Sequence, residues 1–126
     1  MQEVRKERRA YERYTIDTAE VVYLEGRNIK ILKRYTHPLP LKDISQSGIR
    51  FEVGQYLGPG SMMDLIISAP SKQKIEIRGN VIWITKNNSD NRYEVGVQFL
   101  PFGESRFYNS FKAKQQLEEL IKPYLN

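Results

Sequence analysis

Polar and apolar residues alternate along the middle of the chain, which is the pattern of strands that bury one face. The alternation predicts about six short strands, at residues 19–24, 41–44, 48–53, 62–68, 75–85 and 93–99. Glycine, proline and asparagine are concentrated between these runs, where they favour turns. Because no helical period separates the strands, the pattern predicts a mainly β domain, either an antiparallel barrel or a sandwich.

Both ends of the chain depart from this pattern. Residues 1–14 are highly charged and carry few apolar side chains, so we expect a flexible basic arm there and a folded domain over 15–126. Towards the C-terminus the apolar spacing lengthens to that of a helix over about residues 104–121, and Pro123 is expected to end it. We expect this helix to pack on the strands.

The composition restricts the possible functions. The 126 residues suffice for one domain. They include no cysteine and one histidine, which excludes disulfides and thiolate chemistry and leaves little from which to build an active site. We therefore expect no enzymatic activity, no metal and no cofactor. No apolar run is long enough for a bilayer span or a signal peptide, which predicts a cytoplasmic protein without membrane insertion.

The positive charge is unevenly distributed. The net charge of the chain is +5, and basic residues are densest in the arm, where five of them between positions 5 and 13 face two acidic ones. A basic arm favours an anionic partner. The rest of the chain is close to neutral, which argues against the broad cationic groove that single-stranded nucleic acid requires.

Two groups of residues carry the candidate chemistry. The first is Arg9 and Arg13, four residues apart in the arm and preceded by Arg8. The second is the turn Asp43-Ile44-Ser45-Gln46-Ser47-Gly48, which lies between two predicted strands. Taken singly, the arginines indicate a solvated arm and the turn residues indicate only a turn. Arg5 and Arg9 have the same spacing, and we prefer Arg9 with Arg13 because Arg13 leads directly into the folded domain.

In this order the two groups resemble the PilZ family, whose pattern is RxxxR followed by [D/N]xSxxG. The resemblance continues at residues 79–83 (GNVIW) and 93–99 (YEVGVQF), so that it covers residues 8–99. It implies a six-stranded antiparallel β-barrel and a non-catalytic receptor for the bacterial second messenger cyclic di-GMP. The residues that the resemblance assigns to ligand binding are Arg9, Arg13, Asp43, Ser45 and Gly48.

These residues have the chemistry for such a ligand, which is a dianion with two guanines. An arginine guanidinium binds phosphate oxygens in pairs, donates to guanine O6 and N7, and stacks on a purine face. The carboxylate of Asp43 suits the guanine edge that presents only donors, N1–H and N2–H₂. The Ser45 hydroxyl can accept from the amine or donate to phosphate, and Gly48 permits a close backbone approach or a positive φ.

Arg8 and Trp83 leave two alternatives open. In receptors of this family the residue before RxxxR is thought to influence whether one ligand or an intercalated pair is bound. Arg8 could stack on a second guanine and favour the pair. The alternative, in which each site binds one ligand, is not excluded by the sequence. Trp83 points away from Ile82 and Ile84 in the strand alternation, and we expect its ring in the core rather than on a ligand.

Three functions are compatible with these features. The first is a cyclic di-GMP receptor, in which binding orders the arm and an unidentified downstream protein reads the change. The second is a PilZ-like protein-interaction module that does not bind the ligand. The third is a basic β-barrel that binds single-stranded nucleic acid.

Overall fold

Strands dominate the part of the chain that this computed structural model describes, which is residues 12–16, 18–25, 34–71, 73–87 and 90–124. The strands are β1 (Glu20–Glu25), β2 (Arg34–Tyr35), β3 (Leu39–Ile44), β4 (Gly48–Val53), β5 (Met62–Ser68), β6 (Lys74–Lys86) and β7 (Tyr93–Phe99). Helix α1 (Phe111–Ile121) follows, with a 3-10 turn at Lys122–Tyr124.

The strands close into a barrel. Each strand pairs antiparallel with its neighbours, in the order β1, β3, β4, β7, β6, β5, and β5 pairs again with β1. The short strand β2 lies outside this ring and pairs with the end of β1 at Leu24 and Glu25. The predicted six-stranded antiparallel barrel is confirmed.

Alternate side chains of the strands fill the barrel. In β4, Ile49, Phe51 and Val53 are buried, whereas Arg50 and Glu52 reach the outer surface. Burial of an aliphatic or aromatic side chain stabilises the fold by roughly 1.5–3 kcal/mol. The same alternation that builds the core therefore presents the polar residues of β4 on the outside, beside the turn that precedes the strand.

β6 contains one extra residue. Its odd-numbered residues from Ile75 to Val81 are buried, and Val81 pairs with Val97 of β7. Trp83 then pairs with Gly96, so that Ile82 is inserted as a bulge. A bulge reverses the inward–outward alternation beyond it. Trp83 is therefore half-buried on the outer surface, and the expectation that its ring belongs to the core is wrong.

Helix α1 begins at Phe111, later than the predicted start near residue 104. Asn109 holds the preceding segment in turns: its side chain accepts from Arg78 N at 2.7 Å and donates to Arg78 O at 2.9 Å and Leu100 O at 3.0 Å. The Ser110 hydroxyl then caps the helix by accepting from Ala113 N at 3.0 Å.

The end of α1 agrees with the prediction, since the helix stops at Ile121, ahead of Pro123. The side chains that pack α1 on the barrel are Ala113, Leu117, Leu120 and Ile121. No helix in the described ranges has the length and apolar character needed to cross a membrane.

The chain enters the barrel beside β3. Tyr14 N donates to Ile44 O at 2.7 Å, and Ile44 N donates to Tyr14 O at 2.9 Å. This pair of bonds places the residues next to Tyr14 alongside the β3–β4 turn. Residues 1–11 of the predicted arm lie outside the described residues.

Candidate functional site

The turn between β3 and β4 is held together by its serines. Ser45 N donates to Gly48 O at 2.9 Å, and the Ser45 hydroxyl accepts from Ser47 N at 3.1 Å. The hydroxyls of Ser45 and Ser47 lie 3.2 Å apart, within hydrogen-bond distance. Ser45 is buried, so its hydroxyl shapes the turn as well as being a candidate ligand contact.

Gly48 is required by the packing of β4 against β7. A Cβ atom at this position would lie 2.2 Å from Val97 O, which is backbone and cannot move aside. Its φ is not in the left-handed region, so the alternative reason for a glycine, a positive φ, does not apply. Gly48 thus allows the turn to sit directly against β7.

Arg13 reaches the turn from the arm. Its Nη1 donates to Asp43 Oδ1 at 3.1 Å, and the side chain of Asp43 is only 8% exposed. The structure therefore brings together Arg13, Asp43 and, two residues further along the same turn, Ser45. Arg8 and Arg9, the other predicted arginines, lie outside the described residues.

A chain of charges extends from Asp43 across the outer surface. Arg50 Nη2 donates to Asp43 Oδ2 at 2.5 Å, and Arg50 Nη1 lies 3.1 Å from Glu94 Oε2. Glu94 in turn accepts from Lys42 Nζ at 3.0 Å. We call Arg13, Asp43, Arg50, Glu94 and Lys42 the charge network. Its members come from the arm and from β3, β4 and β7, so it joins the turn to the barrel wall.

Arg13 and Asp43 were predicted as site residues, whereas Arg50, Glu94 and Lys42 were not. Arg50 occupies an outward position in β4, two residues after Gly48, and strand alternation alone could have placed it beside the turn. Its pairing with Asp43 and its contact with Glu94 depend on the register of three strands. That register is not visible in the residue pattern of any one strand.

Trp83 lies in line with these charges. Asp43 pairs with Arg50, Arg50 with Gly96, and Gly96 with Trp83, so the four residues form one row across β3, β4, β7 and β6. A Cβ atom on Gly96 would lie 2.4 Å from the Trp83 ring, so the indole occupies the space above this glycine. The outer surface thus carries a carboxylate, a guanidinium and an indole in sequence.

The surface can bind a planar group that carries negative charge. Carboxylate and guanidinium groups provide acceptors and donors, and the half-buried indole provides an aromatic ring for stacking. Within the described ranges, no group of three or more His, Asp or Glu side chains is placed to hold a metal ion.

A sequence model of the PilZ domain matches residues 7–121. The chain belongs to the PilZ domain family. This match confirms the family predicted from the arginine pair, the turn and the two late strands. No curated protein sequence matches the chain.

Solved structures of low sequence identity share the fold. YcgR from Escherichia coli in complex with c-di-GMP has a TM-score of 0.69 at 14% identity, and the match covers 93% of this chain and 46% of YcgR. The MrkH–c-di-GMP complex of K. pneumonia has a TM-score of 0.67 at 13% identity, over 92% of this chain and 51% of MrkH.

The Bacillus subtilis inhibitor of motility, MotI/DgrA, has a TM-score of 0.62 at 20% identity, over 94% of this chain and 52% of that protein. This PilZ chain spans about half the length of these three structures.

Proposed function

We propose that this PilZ chain is a non-catalytic bacterial receptor for cyclic di-GMP (c-di-GMP). The ligand binds between the RxxxR arm and the Asp-x-Ser-x-x-Gly turn, and the ordered arm signals to a downstream protein. The ligand-binding residues are Arg8, Arg9, Arg13, Asp43, Ser45 and Gly48. The arm over residues 1–14 and the domain over 15–126 are the two parts that the ligand brings together.

The observation that carries this proposal is the contact of Arg13 with Asp43. The two residues are 30 positions apart in sequence, one in the arm and one in the turn, yet their side chains meet on the barrel surface. A ligand with phosphates and guanines needs both a guanidinium and a carboxylate within one site. The structures of YcgR and MrkH with c-di-GMP add support, because they share the fold of this chain.

Nucleic-acid binding has less support. A sequence-independent groove for single strands requires a line of available cations. On the described barrel surface, Lys42, Arg50, Arg78 and Arg92 each form an ion pair with a carboxylate. These pairs reduce the positive potential that a phosphate backbone would meet.

Isothermal titration calorimetry with the full chain tests the proposal. We expect cyclic di-GMP to bind with a micromolar or lower Kd, and GTP and single-stranded RNA to bind far more weakly. Asp43→Asn should abolish binding, because the amide replaces an acceptor with a donor at the guanine edge. Asp64→Asn is the control, since Asp64 is also a strand carboxylate paired with an arginine, Arg78, at 2.8 Å, and it lies outside the charge network.

Each outcome has one interpretation. Binding that Asp43→Asn removes and Asp64→Asn retains supports the receptor. If the wild-type chain gives no heat of binding at high protein concentration, the receptor function is contradicted. The remaining function is then the PilZ-like protein-interaction module that does not bind the ligand. Tighter binding of single-stranded RNA than of cyclic di-GMP contradicts the receptor function in favour of the nucleic-acid function.

A further inference from the structure

Both oxygens of the Asp43 carboxylate are already occupied by arginines. Arg13 donates to Oδ1 at 3.1 Å and Arg50 donates to Oδ2 at 2.5 Å. The Asp43 side chain is 8% exposed, so little of the carboxylate faces solvent. Each oxygen keeps a second lone pair, but because so little of the side chain is exposed, we expect a third group to gain access to the carboxylate only when one of the two arginines moves.

The two arginines are not equally free to move. Arg50 is on β4, and its guanidinium is held from two sides, by Asp43 through Nη2 and by Glu94 through Nη1. Glu94 is itself held by Lys42. Arg13 precedes the barrel, and in the described part of the chain Asp43 is its one ion-pair partner. Arg13 is therefore the partner that can leave.

We propose that Arg50 is a positioning residue that sets the orientation of Asp43, so that Oδ1 exchanges Arg13 for the donor edge of a guanine. The inference rests on the proposed function and assigns a role to a residue outside both motifs. Arg50 does not need to touch the ligand. It acts by keeping Oδ2 occupied, which leaves Oδ1 as the acceptor on the side from which the arm approaches.

The exchange leaves no charged group without a partner. When Arg13 leaves Oδ1, the guanine N1–H and N2–H₂ groups replace its donors, and the carboxylate stays paired with Arg50. The released Arg13 guanidinium is then available for a ligand phosphate, to which it is better matched than to a shared carboxylate oxygen. Without Arg50, Asp43 would have only Arg13 as partner, and the guanine would compete with it for the whole carboxylate.

Selectivity between two dinucleotides tests this role. Cyclic di-IMP differs from cyclic di-GMP by the loss of the 2-amino group, one of the donors assigned to Asp43. Calorimetric titrations of both are made with the wild-type chain, with Arg50→Met and with Arg50→Lys. Arg78→Met is the matched control, because Arg78 is also a surface arginine paired with a carboxylate and lies outside the charge network.

We expect the wild-type chain to prefer cyclic di-GMP by about 10- to 100-fold, the effect of one hydrogen bond to a charged acceptor. Arg50→Met should reduce this ratio to a few-fold, whereas Arg78→Met should leave it unchanged. Arg50→Lys keeps the charge but not the two-sided contact, so we expect an intermediate ratio.

Several results would overturn the inference. If Arg50→Met weakens both ligands equally and keeps the wild-type ratio, Arg50 has only a general electrostatic effect. A wild-type chain that binds both dinucleotides equally contradicts the reading of the guanine edge by Asp43 but leaves the receptor function intact. A wild-type chain that binds neither contradicts the receptor function as well.

A folding defect in Arg50→Met would be detected by circular dichroism melting. In that case Glu94→Gln serves as the second variant, because it removes the charge of the other anchor of Arg50 and leaves Arg50 and Asp43 in place. We expect it to lower the cyclic di-GMP to cyclic di-IMP ratio by a smaller factor. An unchanged ratio in a folded Glu94→Gln protein contradicts the positioning role.

Discussion

Arg13 is placed at the turn by backbone hydrogen bonds as well as by its own side chain. Tyr14, the next residue, pairs with Ile44 through two backbone hydrogen bonds, and this pairing sets the register of the arm against the turn. Arg13 therefore lies beside Asp43. This position supports Arg9 with Arg13, rather than Arg5 with Arg9, as the functional pair.

Alanine substitutions test this register. Arg9→Ala and Arg13→Ala should each abolish calorimetric binding of cyclic di-GMP, because each removes a guanidinium from the site. The free energy of unfolding should change by no more than about 1 kcal/mol, because the Asp43 carboxylate keeps its ion pair with Arg50 when Arg13 is removed. Arg5→Ala is the control, and a larger loss with Arg5→Ala than with Arg13→Ala would show that the pair is Arg5 and Arg9.

Arg8 makes a separate prediction about stoichiometry. If its guanidinium stacks on a second guanine, Arg8→Leu should lower the binding ratio from two ligands per site to one, with binding retained. Calorimetry at a protein concentration well above Kd measures this ratio. A ratio that is the same in Arg8→Leu and wild type would argue against the intercalated pair.

At the residue scale, Asp43, Ser45 and Arg13 could be identified as candidate site residues from the sequence, because their spacing follows a family pattern. The sequence was not sufficient for Arg50, Glu94 or Trp83. The first two depend on which residues face each other across strands, and the third on a bulge that reverses the alternation of β6. The register between strands and the bulge are both properties of strand pairing, and neither can be seen in one segment of the sequence.

At the scale of secondary-structure elements, the close contact of β4 with β7 positions the turn. Gly48 pairs with Gln98 and lies against the backbone of Val97. The strands themselves were predictable because period-two alternation is a local signal. The start of α1 was not, because it depends on the long-range bonds from Asn109 to Arg78 and Leu100.

A pair of glycine substitutions measures this contact. Gly48→Ala should lower the free energy of unfolding by about 1–3 kcal/mol, because the new Cβ atom would overlap the backbone of β7. Gly54→Ala is the control, since a Cβ atom there would meet nothing within 4 Å. We expect the control to be neutral or stabilising by about 0.4–1 kcal/mol. Urea unfolding measures both, and equal effects would contradict the packing role of Gly48.

At the scale of the whole molecule, the two ends of the described chain meet near the site. The Tyr14 and Tyr124 ring centroids are 6.4 Å apart, which joins the start of the barrel to the 3-10 turn after α1. A cleft of about 220 Å³ is lined by Gln46 of the β3–β4 turn and by Lys114 and Glu118 of α1. Helix α1 is thus next to both parts that the ligand is proposed to join.

Hydrogen exchange tests whether α1 senses the ligand. Binding of cyclic di-GMP should slow amide exchange in the arm and also in residues 118–124, because ordering of the arm restrains Tyr14 and, through it, Tyr124. In Tyr124→Ala the arm should still be protected while the response of the helix is reduced. Tyr56→Ala is the control, since Tyr56 pairs with Tyr93 instead. An unchanged helix in the liganded wild-type chain would contradict this coupling.

The position of Trp83 has a practical consequence. It is the only tryptophan of the chain, it is half-buried, and it lies in the same row as Arg50 and Asp43. All tryptophan emission therefore originates from one indole on the outer surface beside the charge network. The protein carries its own optical probe on β6, at the end of the row that begins at Asp43, and we expect that occupancy of the proposed site can be followed there without a label.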